Sequence, residues 1–389
     1  NCTASGDSTT AVPNNANRSV AIAIGQNGGN VVDCTYTNTL QQGTIELKKV
    51  WSGTAGQTTL QIGTSAGGTQ VDTQPTGVAG AAPLTTGANS VNAGTYFMSE
   101  TGGLTNYTTA PLVCFNDANN NGSNDGEAAV TVGASDSVPV AANQHVICTY
   151  TNTRNQGTII VKKHMIGGTD TFNFTGTPNG SISTDNGTIQ STVDTGQYVS
   201  TETLLAGWDL TSVVCSDGDS TGSVPSHNAT FNVAAGETIT CTFTNTKKGH
   251  LIVQKTTIPG SDLTSFNITA SGSGNITAPA ASFVTDATDH DYEVTPGTYS
   301  VAETVPIGWV KTGDTCQSVV VAAGETKNCL LTNTKNGHII VNKVTVGGND
   351  DFNFTTSGTG YIGFALSNGQ SNNQEVVPGA YIVSEGAVA

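Results

Sequence analysis

The stretch GTIIVKK at residues 157–163 decides the fold, because its side chains alternate between two environments. Successive side chains of an extended strand point to opposite faces, so Ile159, Val161 and Lys163 share one face. The residues between them point the other way. The pattern predicts a half-buried β-strand whose inward face ends in a lysine.

The same opening recurs three more times, which predicts a chain built from repeats. The copies are GTIELKKV at 43–50, GHLIVQKT at 249–256 and GHIIVNKV at 337–344. Further strand motifs follow the opening, and three units close with CTYTNT, CTFTNT or CLLTNT. No stretch shows a clear 3.6-residue period. Units of roughly 90 to 115 residues then predict an all-β protein of tandem immunoglobulin-like β-sandwiches.

The repeat boundaries divide the chain into three complete repeats and two halves. The N-terminal segment carries only the closing motifs and the C-terminal segment only the opening ones. Two interpretations stay open: a window from a longer array, or a subunit whose end completes the start of the next. The predicted segments are 1–42 (N-terminal half-repeat), 43–156 (repeat 1), 157–248 (repeat 2), 249–336 (repeat 3) and 337–389 (C-terminal half-repeat).

The composition indicates a protein of the cell exterior. Only 11% of the 389 residues are charged, and the formal net charge is −16. Such a surface repels nucleic acid and anionic membranes, so neither is expected as a partner. No apolar run reaches the ~18 residues that a membrane-spanning helix needs. We therefore expect an extracellular or cell-surface location.

The eight cysteines occur as one pair in each closing half. The absence of a CxxC spacing disfavours zinc and thioredoxin-type sites. One disulfide per closing half, formed in an oxidising compartment, is the better interpretation. The predicted pairs are Cys2–Cys34, Cys114–Cys148, Cys215–Cys241 and Cys316–Cys329.

Three polar residues fall on the inward face of each complete repeat. Lys163 keeps phase with the apolar residues before it. In the same repeat, Asn245 shares a face with Cys241, and Glu202 shares one with Tyr198. Each complete repeat thus directs one lysine, one glutamate and one asparagine toward its interior.

Burying a lysine and a glutamate is costly unless the two groups pair or become neutral. Because burial lowers the pKa of a lysine and raises that of a carboxylic acid, the pair can exist as neutral amine and neutral acid. The amine can then attack the asparagine amide while the acid passes its proton to the leaving ammonia. This chemistry predicts a Lys–Asn isopeptide bond, formed once. Two alternatives stay open: a buried ion pair hydrogen-bonded to the asparagine, and strand ends half exposed to solvent.

The motifs GTIELKKVW, AGTYFMSETG and TYTNT resemble those of Gram-positive collagen-adhesin B-type and major-pilin domains. The resemblance implies a prealbumin-like sandwich in which a glutamate promotes a bond between a first-strand lysine and a last-strand asparagine. The repeated cysteine pair departs from the usual family pattern, and such a disulfide can itself supply a mechanical lock. By motif position, the implied sets are Lys49–Glu100–Asn152, Lys163–Glu202–Asn245 and Lys255–Glu303–Asn333.

The two half-repeats carry incomplete sets. Lys343 and Glu385 are not followed by an equivalent asparagine, and Asn38 is not preceded by an equivalent lysine and glutamate. If the end of one chain completes the start of the next, Lys343 of one copy meets Asn38 of another. The expected partner is then the chain itself, in a covalent head-to-tail polymer.

The loop NDANNNGSNDGE at 116–127 has nearly the spacing of an oxygen-ligand calcium loop, although its glutamate comes one residue early. It also resembles the calcium loops of staphylococcal surface B-repeats. An ordinary Asn/Gly turn uses the same residues, so both interpretations stay open. A shorter candidate at 217–222 has no acid after Asp219. The candidate ligands of the longer loop are Asp117, Asn119, Asn121, Asp125 and Glu127. No other cofactor is expected.

Outside the self-cross-link, no catalytic constellation recurs among the repeats, so we expect a structural protein and not an enzyme. The predicted function is an extracellular subunit of a filament, pilus or stalk built from cross-linked repeats. An alternative is a cell-surface adhesin that uses the repeats as a spacer and loops of repeat 1 to bind a host or surface ligand.

Overall fold

A computed structural model describes residues 1–277 and 279–387. The chain divides into two units, Asn1–Asn155 and a second that begins at Gln156. The predicted all-β fold is confirmed, because the described residues contain strands, two one-turn 3₁₀ segments and no α-helix. No helix in these ranges is long and apolar enough to cross a bilayer.

The first unit contains fourteen strands and both 3₁₀ segments, Val78–Gly80 and Ala134–Asp136. The strands are β1 Cys2–Ser5, β2 Thr10–Asn14, β3 Ser19–Ala23, β4 Val31–Cys34, β5 Gln42–Ser52, β6 Thr59–Gly63, β7 Asp72–Pro75, β8 Asn89–Asn92, β9 Gly94–Thr101, β10 Tyr107–Thr109, β11 Val113–Asn116, β12 Ala129–Val130, β13 Ser137–Val140 and β14 His145–Arg154.

The second unit contains the remaining described strands, which belong to repeats 2 and 3 and to the C-terminal half-repeat. They are β15 Gln156–Ile166, β16 Phe172–Gly176, β17 Gly180–Ile182, β18 Thr188–Asp194, β19 Gly196–Glu202, β20 Trp208–Cys215, β21 Thr221–Ser223, β22 Asn228–Val233, β23 Thr238–Lys247, β24 Gly249–Ile258, β25 Phe266–Gly272, β26 Ala281–Val284, β27 Asp289–Val294, β28 Gly297–Thr304, β29 Trp309–Asp314, β30 Val319–Val321, β31 Thr326–Lys335, β32 Gly337–Asn342, β33 Phe352–Ser357, β34 Phe364–Leu366, β35 Ser371–Val376 and β36 Ile382–Glu385.

Each complete repeat contains two sheets whose apolar faces meet in a core. Repeat 2 has the strand orders β18-β15-β23-β20 and β17-β16-β19-β22-β21, with Ile159, Phe172 and Phe243 fully buried. In repeat 1 the orders are β12-β11-β14-β5-β8, with β10 also paired to β14, and β13-β9-β6-β7. In repeat 3 they are β27-β24-β31-β29 and β26-β25-β28-β30. The predicted tandem sandwich is confirmed.

The first and last strands of a complete repeat lie side by side and run parallel. In repeat 2, β15 and β23 pair along nine residues, with Lys163 beside Phe243 and Met165 beside Asn245. The pairs β5–β14 and β24–β31 have the same direction. Residues from the two ends of each repeat are therefore brought together in one sheet.

The half-repeats have smaller sheets: β1-β4 and β2-β3 at the start, and β32-β35 and β34-β33-β36 at the end. The closing strand expected to run through Asn38 instead ends at Cys34, and residues 35–41 lie outside any strand. In the complete repeats this segment pairs with a parallel first strand, which residues 1–41 do not contain. Similarly, β32 ends one residue before Lys343.

Candidate functional site

Strand alternation places one lysine inside each complete repeat. In β15, Ile159, Val161 and Lys163 are all fully buried. Lys49 of β5 and Lys255 of β24 are 3% and 1% exposed. This burial rules out the alternative in which the lysines lie at strand ends half exposed to solvent.

The asparagine comes from the last strand, beside the lysine strand. Asn245 of β23 is 1% exposed, and Asn152 and Asn333 are fully buried. Because Lys163 lies beside Phe243, Asn245 is two residues further along the neighbouring strand and points to the same interior. The parallel pairing of the two strands thus brings an amine and an amide from opposite ends of the repeat together.

The glutamate comes from the opposite sheet and completes the set in repeat 2. Glu202 is the last residue of β19 and is 2% exposed. Lys163 Nζ donates to Glu202 Oε2 at 2.8 Å, and Asn245 Nδ2 donates to Glu202 Oε1 at 2.5 Å. Lys163 Nζ also donates to Asn245 Oδ1. The three buried side chains form a closed triangle of hydrogen bonds.

Repeat 3 brings the equivalent three residues together with different hydrogen bonding. Lys255 Nζ donates to Asn333 Oδ1 at 2.5 Å and lies 3.3 Å from Glu303 Oε1. The nitrogen of Asn333 is buried without a hydrogen-bond partner. The amine and the amide are in contact here, but the glutamate does not hold the amide as Glu202 does in repeat 2.

Repeat 1 places the lysine against the glutamate and leaves the amide unsatisfied. Lys49 Nζ lies 3.1 Å from Glu100 Oε2. Both the oxygen and the nitrogen of the Asn152 amide are buried without a hydrogen-bond partner. Leaving such a group unpaired costs about 1–3 kcal/mol, so this asparagine does not contribute hydrogen-bond energy to the core.

An aromatic ring covers each buried lysine, a feature that the sequence reasoning missed. The rings of Phe172 and Phe266 lie 3.9 Å and 4.1 Å from the lysine Nζ atoms of repeats 2 and 3. In repeat 1, the ring of Trp51 lies 4.3 Å from Nζ of Lys49. The signal was present in the TFNF and SFNI motifs after the lysines, but repeat 1 lacks this motif and uses a residue of the lysine strand itself.

Burial lowers the pKa of Lys163 to about 8, because desolvation disfavours the ammonium more than the hydrogen bond to Glu202 favours it. Desolvation also lowers the pKa of Lys49 and Lys255, against the attraction of their glutamates. The neutral amine is the nucleophilic form of lysine. In repeat 2 it is therefore populated at pH values near neutrality.

The C-terminal half-repeat pairs two of the three inter-subunit candidates. Lys343 Nζ lies 2.5 Å from Glu385 Oε1, and the two side chains are 12% and 40% exposed. Phe352 covers this lysine at 3.5 Å, as Phe172 does in repeat 2. In the first unit, Asn38 is exposed and lines an open cleft of about 750 Å³.

All four predicted cysteine pairs are joined by disulfides. Three of these bonds connect directly opposite residues of antiparallel neighbours, in β1–β4, β11–β14 and β20–β23. The fourth connects Cys329 of β31 to Cys316, which follows β29. In each complete repeat, the disulfide therefore fastens the last strand to the segment on the side away from the lysine strand.

The candidate calcium loop is closed by its own hydrogen bonds. Asp117 is 1% exposed, and its carboxylate accepts two backbone N–H groups of the loop at 3.1 Å and 2.9 Å. Asn121 Nδ2 donates to Asp125 at 2.6 Å, and the backbone N–H of Asn119 donates to Glu127 Oε1 at 3.2 Å. The other oxygen of Glu127 is buried without a hydrogen-bond partner, which fits an oxygen-ligand cation.

The shorter loop gains an acid that its sequence motif does not show. A carboxylate oxygen of Glu237 lies within 4.8 Å of those of Asp217 and Asp219. Glu237 lies in the turn before β23, far along the chain from the loop. Only the fold brings these three residues together, so a local motif could not have identified the third.

Two segments of the chain match known protein families. Residues 159–247 and residues 251–338 each match a family described as a prealbumin-like fold domain. A search of curated proteins found no match.

A comparison with solved structures matches three proteins of Gram-positive bacteria at low identity. The Bacillus anthracis TIE protein is 12% identical over 84% of this chain and 58% of that chain, with a TM-score of 0.37. Two B repeats of the Staphylococcus aureus collagen-binding protein are 12% identical over 82% of this chain and 87% of that chain, with a TM-score of 0.24. The Streptococcus pyogenes major pilin is 11% identical over 54% of this chain and 99% of that chain, with a TM-score of 0.25. The chain thus spans 58% of the length of the TIE protein.

Proposed function

We propose, from the premise that residues 159–247 and 251–338 are prealbumin-like domains, that this protein is an extracellular structural subunit of a pilus, filament or stalk. Its complete repeats are locked internally by Lys–Asn isopeptide bonds. The observation that carries the proposal is the buried triangle in repeat 2, in which Glu202 contacts Lys163 at 2.8 Å and Asn245 at 2.5 Å.

The bond forms by exchange of one amide nitrogen for another. The ammonium of Lys163 gives a proton to Glu202, and the free lone pair of Nζ attacks Cγ of Asn245. Glu202 contacts Nδ2, so its acid form gives its proton to Nδ2 while its carboxylate takes one of the two protons left on Nζ. The electron pair that moved onto Oδ1 during the attack re-forms the carbonyl. The Cγ–Nδ2 bond breaks and ammonia leaves. One C–N bond forms and one breaks, without oxidant and without turnover.

In repeats 1 and 3, the buried amides favour this chemistry over a permanent ion pair. In an ion pair hydrogen-bonded to asparagine, the amide is expected to be satisfied, whereas Asn152 and the nitrogen of Asn333 are not. Departure of the amide nitrogen as ammonia removes the unsatisfied donor. Formation of the bond also removes the charge of the buried lysine, whose desolvation is costly.

The position of the bond suits a protein that carries tension. Because β15 and β23 are parallel neighbours, a pull on the two ends of repeat 2 loads them in opposite directions along the sheet. A bond from Lys163 to Asn245 connects the entering strand directly to the leaving strand. The residues between them then bear no load, and the repeat does not extend.

We expect the intact chain to weigh less than its sequence by one ammonia for each of the three complete repeats. The mass is measured after reduction and denaturation, so that neither disulfides nor folding affects it. Peptide mapping should place the losses at Lys49–Asn152, Lys163–Asn245 and Lys255–Asn333. A mass equal to that of the sequence would rule out the cross-links.

A covalent joint between copies extends the same chemistry to assembly. Lys343 and Glu385 are already paired at 2.5 Å beneath Phe352, and Asn38 is exposed at an open cleft. We propose that Asn38 of a second copy supplies the amide for Lys343. The resulting head-to-tail polymer has the same strand arrangement at its joints as within its repeats.

We expect the concentrated protein to give a ladder of multimers after boiling in SDS with reductant, because isopeptide bonds survive both. Lys343→Ala should collapse the ladder to one monomer band. Lys327→Ala is the matched control, since Lys327 is a half-buried lysine that pairs with nearby Glu325 at 2.6 Å. A monomer band from the unchanged protein would contradict the joint.

Calcium is proposed as a structural ion of the loop in repeat 1. The residues that would hold it are Asp117, Asn119, Asn121, Asp125 and Glu127, which supply oxygen ligands of the kind calcium takes. Bound ion would neutralise the loop's carboxylates and stiffen the connection between β11 and β12. The buried, unpartnered oxygen of Glu127 is the observation that favours this role.

We expect calcium to raise the melting temperature of the protein, and a chelator to reverse the change. At a free concentration 100 times Kd, a single site stabilises the folded state by about 2.7 kcal/mol. Glu127→Gln should weaken the response, whereas Glu325→Gln, at a half-buried position in repeat 3, should leave it intact. Identical melting in calcium and in chelator would argue for an ordinary turn.

A further inference from the structure

Disulfide and asparagine keep a constant spacing on the last strand of every complete repeat. The cysteine precedes the asparagine by four residues in Cys148/Asn152, Cys241/Asn245 and Cys329/Asn333, and an even spacing puts both side chains on the inward face. We propose that the disulfide sets the register of the last strand, so that the asparagine and not its neighbour faces the lysine. This inference rests on the isopeptide bond proposed above.

The pairing of the last strand of repeat 2 with β20 contains an irregularity between the disulfide and the asparagine. On β20, Cys215 lies opposite Cys241 and Ser212 opposite Thr244, but Leu210 lies opposite Asn245. Thr211 is thus an extra residue that bulges out of the pairing between the disulfide and the asparagine. If the bulge moves or flattens, β23 shifts by one residue against β20.

The same irregularity occurs in repeat 3 at the same distance from the disulfide. Lys311 lies opposite Asn333 and Gly313 opposite Thr332, so Thr312 is the extra residue. The two bulged threonines make equivalent contacts: Thr211 Oγ1 donates to the carbonyl of Thr244 at 3.1 Å, and Thr312 Oγ1 donates to the carbonyl of Thr332 at 3.4 Å.

Repeat 1 contains the extra residue in a different form. Thr109 of β10 lies opposite Asn152, and Val113 of β11 lies opposite Thr149. Three residues, 110–112, therefore face the two residues 150–151 between these pairs. All three complete repeats have one surplus residue between their disulfide and their asparagine.

A slip of one residue would prevent the cross-link altogether. Successive side chains alternate between faces, so the shift turns Asn245 to the outer face and brings Thr244 or Thr246 to the inner one. A threonine hydroxyl offers Lys163 no carbonyl carbon to attack. The Cys215–Cys241 bond prevents the slip because it ties one residue pair of the two strands together four residues away.

The disulfide lies in the segment that bears no tension once the isopeptide bond has formed, which agrees with a role before that bond forms. Cys215 and Cys241 both lie between Lys163 and Asn245 in the chain, within the segment that the isopeptide bond relieves of tension. Once that bond has formed, the disulfide carries no load. Cys215 and Cys241 are therefore positioning residues for the cross-link, acting before the cross-link exists.

The test follows both bonds in the full chain as it is made. Cell-free synthesis runs in an oxidising glutathione mixture, and samples are acid-quenched and alkylated at intervals. Peptide mass spectrometry reports, for each repeat, the state of its thiols and the loss of ammonia. We expect ammonia loss in repeat 2 to occur at least tenfold faster in molecules that already hold the Cys215–Cys241 bond. Equal rates in molecules with free thiols would overturn the inference.

A variant without the disulfide gives the second measurement. In Cys215→Ala/Cys241→Ala, we expect ammonia loss from repeat 2 to slow at least tenfold, while repeat 3 keeps its normal rate as an internal control. The rates are compared at a temperature where hydrogen exchange shows β15 and β23 protected in the variant. If the disulfide only stabilised the repeat, the rate in the folded variant would be unchanged, and that result would overturn the inference.

A disulfide moved to a neighbouring residue pair tests whether the fixed register of β20 and β23 matters, or Cys215 and Cys241 themselves. Val214 and Thr242 lie directly opposite each other, next to the Cys215–Cys241 pair, and Val214 is 62% exposed. Adding Val214→Cys/Thr242→Cys to the double-alanine variant fixes the same register from the outer face and should restore ammonia loss. A folded, disulfide-bonded chain that stays unlinked would overturn the inference. If no repeat of the oxidised, unchanged protein loses ammonia, the isopeptide proposal itself fails.

Discussion

The variant Glu202→Ala should leave repeat 2 without its Lys163–Asn245 bond while repeats 1 and 3 lose ammonia as before. Glu202 is the group that contacts both reacting side chains, at 2.8 Å and 2.5 Å. A positioned acid or base contributes roughly 10²–10⁴ to the rate of such a step. The nucleophile itself remains, because removal of the carboxylate takes away the contact that raises the pKa of Lys163 and leaves the desolvation that lowers it.

The measurement is peptide mass spectrometry of the three cross-link sites in a single preparation. Repeat 3 serves as the control within the chain, and Glu293→Ala is the matched control variant. Glu293 also accepts a hydrogen bond from a lysine, Lys248, at 3.2 Å. It is not one of the three glutamates proposed to promote a cross-link. Full ammonia loss from repeat 2 of the Glu202 variant would show that the glutamate has no part in the reaction.

The fold and the membership of the site followed from strand alternation. A period of two, applied to GTIIVKK and CTFTNT, is enough to place Lys163 and Asn245 on inward faces, and the structure buries both. Sequence alone could give the face of each residue because that depends on local geometry only. The disulfide pairs could also be predicted from the sequence, since one pair of cysteines recurs at the same place in each closing half.

The remaining features depend on distances between elements that no local pattern encodes. Trp51 covers Lys49 in repeat 1, which lacks the phenylalanine motif, and Glu237 approaches Asp217 although two strands separate them in the chain. The unsatisfied amide of Asn152 depends on the packing of two sheets. Asn38 was expected in a strand, but its segment lacks the parallel neighbour that forms this strand in the complete repeats.

A chain stretched between its ends should show no lengthening of repeat 2, whereas Asn245→Ala should make that repeat extensible. In the variant, the load passes through the chain between Lys163 and position 245, which are 82 residues apart. While the Cys215–Cys241 disulfide is intact, the 26 residues that it encloses are excluded from this length. At about 3.4 Å per extended residue, repeat 2 then releases roughly 190 Å under oxidising conditions and roughly 280 Å after reduction. Single-molecule force spectroscopy resolves both steps. Asn173→Ala, at an exposed asparagine of the same repeat, is the matched control.

The response to reductant distinguishes an isopeptide lock from a disulfide lock. If the Lys163–Asn245 bond carries the load, reduction of Cys215–Cys241 changes nothing in the unchanged protein, because the disulfide lies inside the relieved segment. If the disulfide were the lock, the unchanged protein would already release the shorter length and would lengthen further on reduction. Extension of the unchanged repeat by roughly 190 Å would therefore contradict the mechanical role of the cross-link. The two covalent bonds then have separate tasks, one bearing tension and the other determining which side chain is available to form that bond.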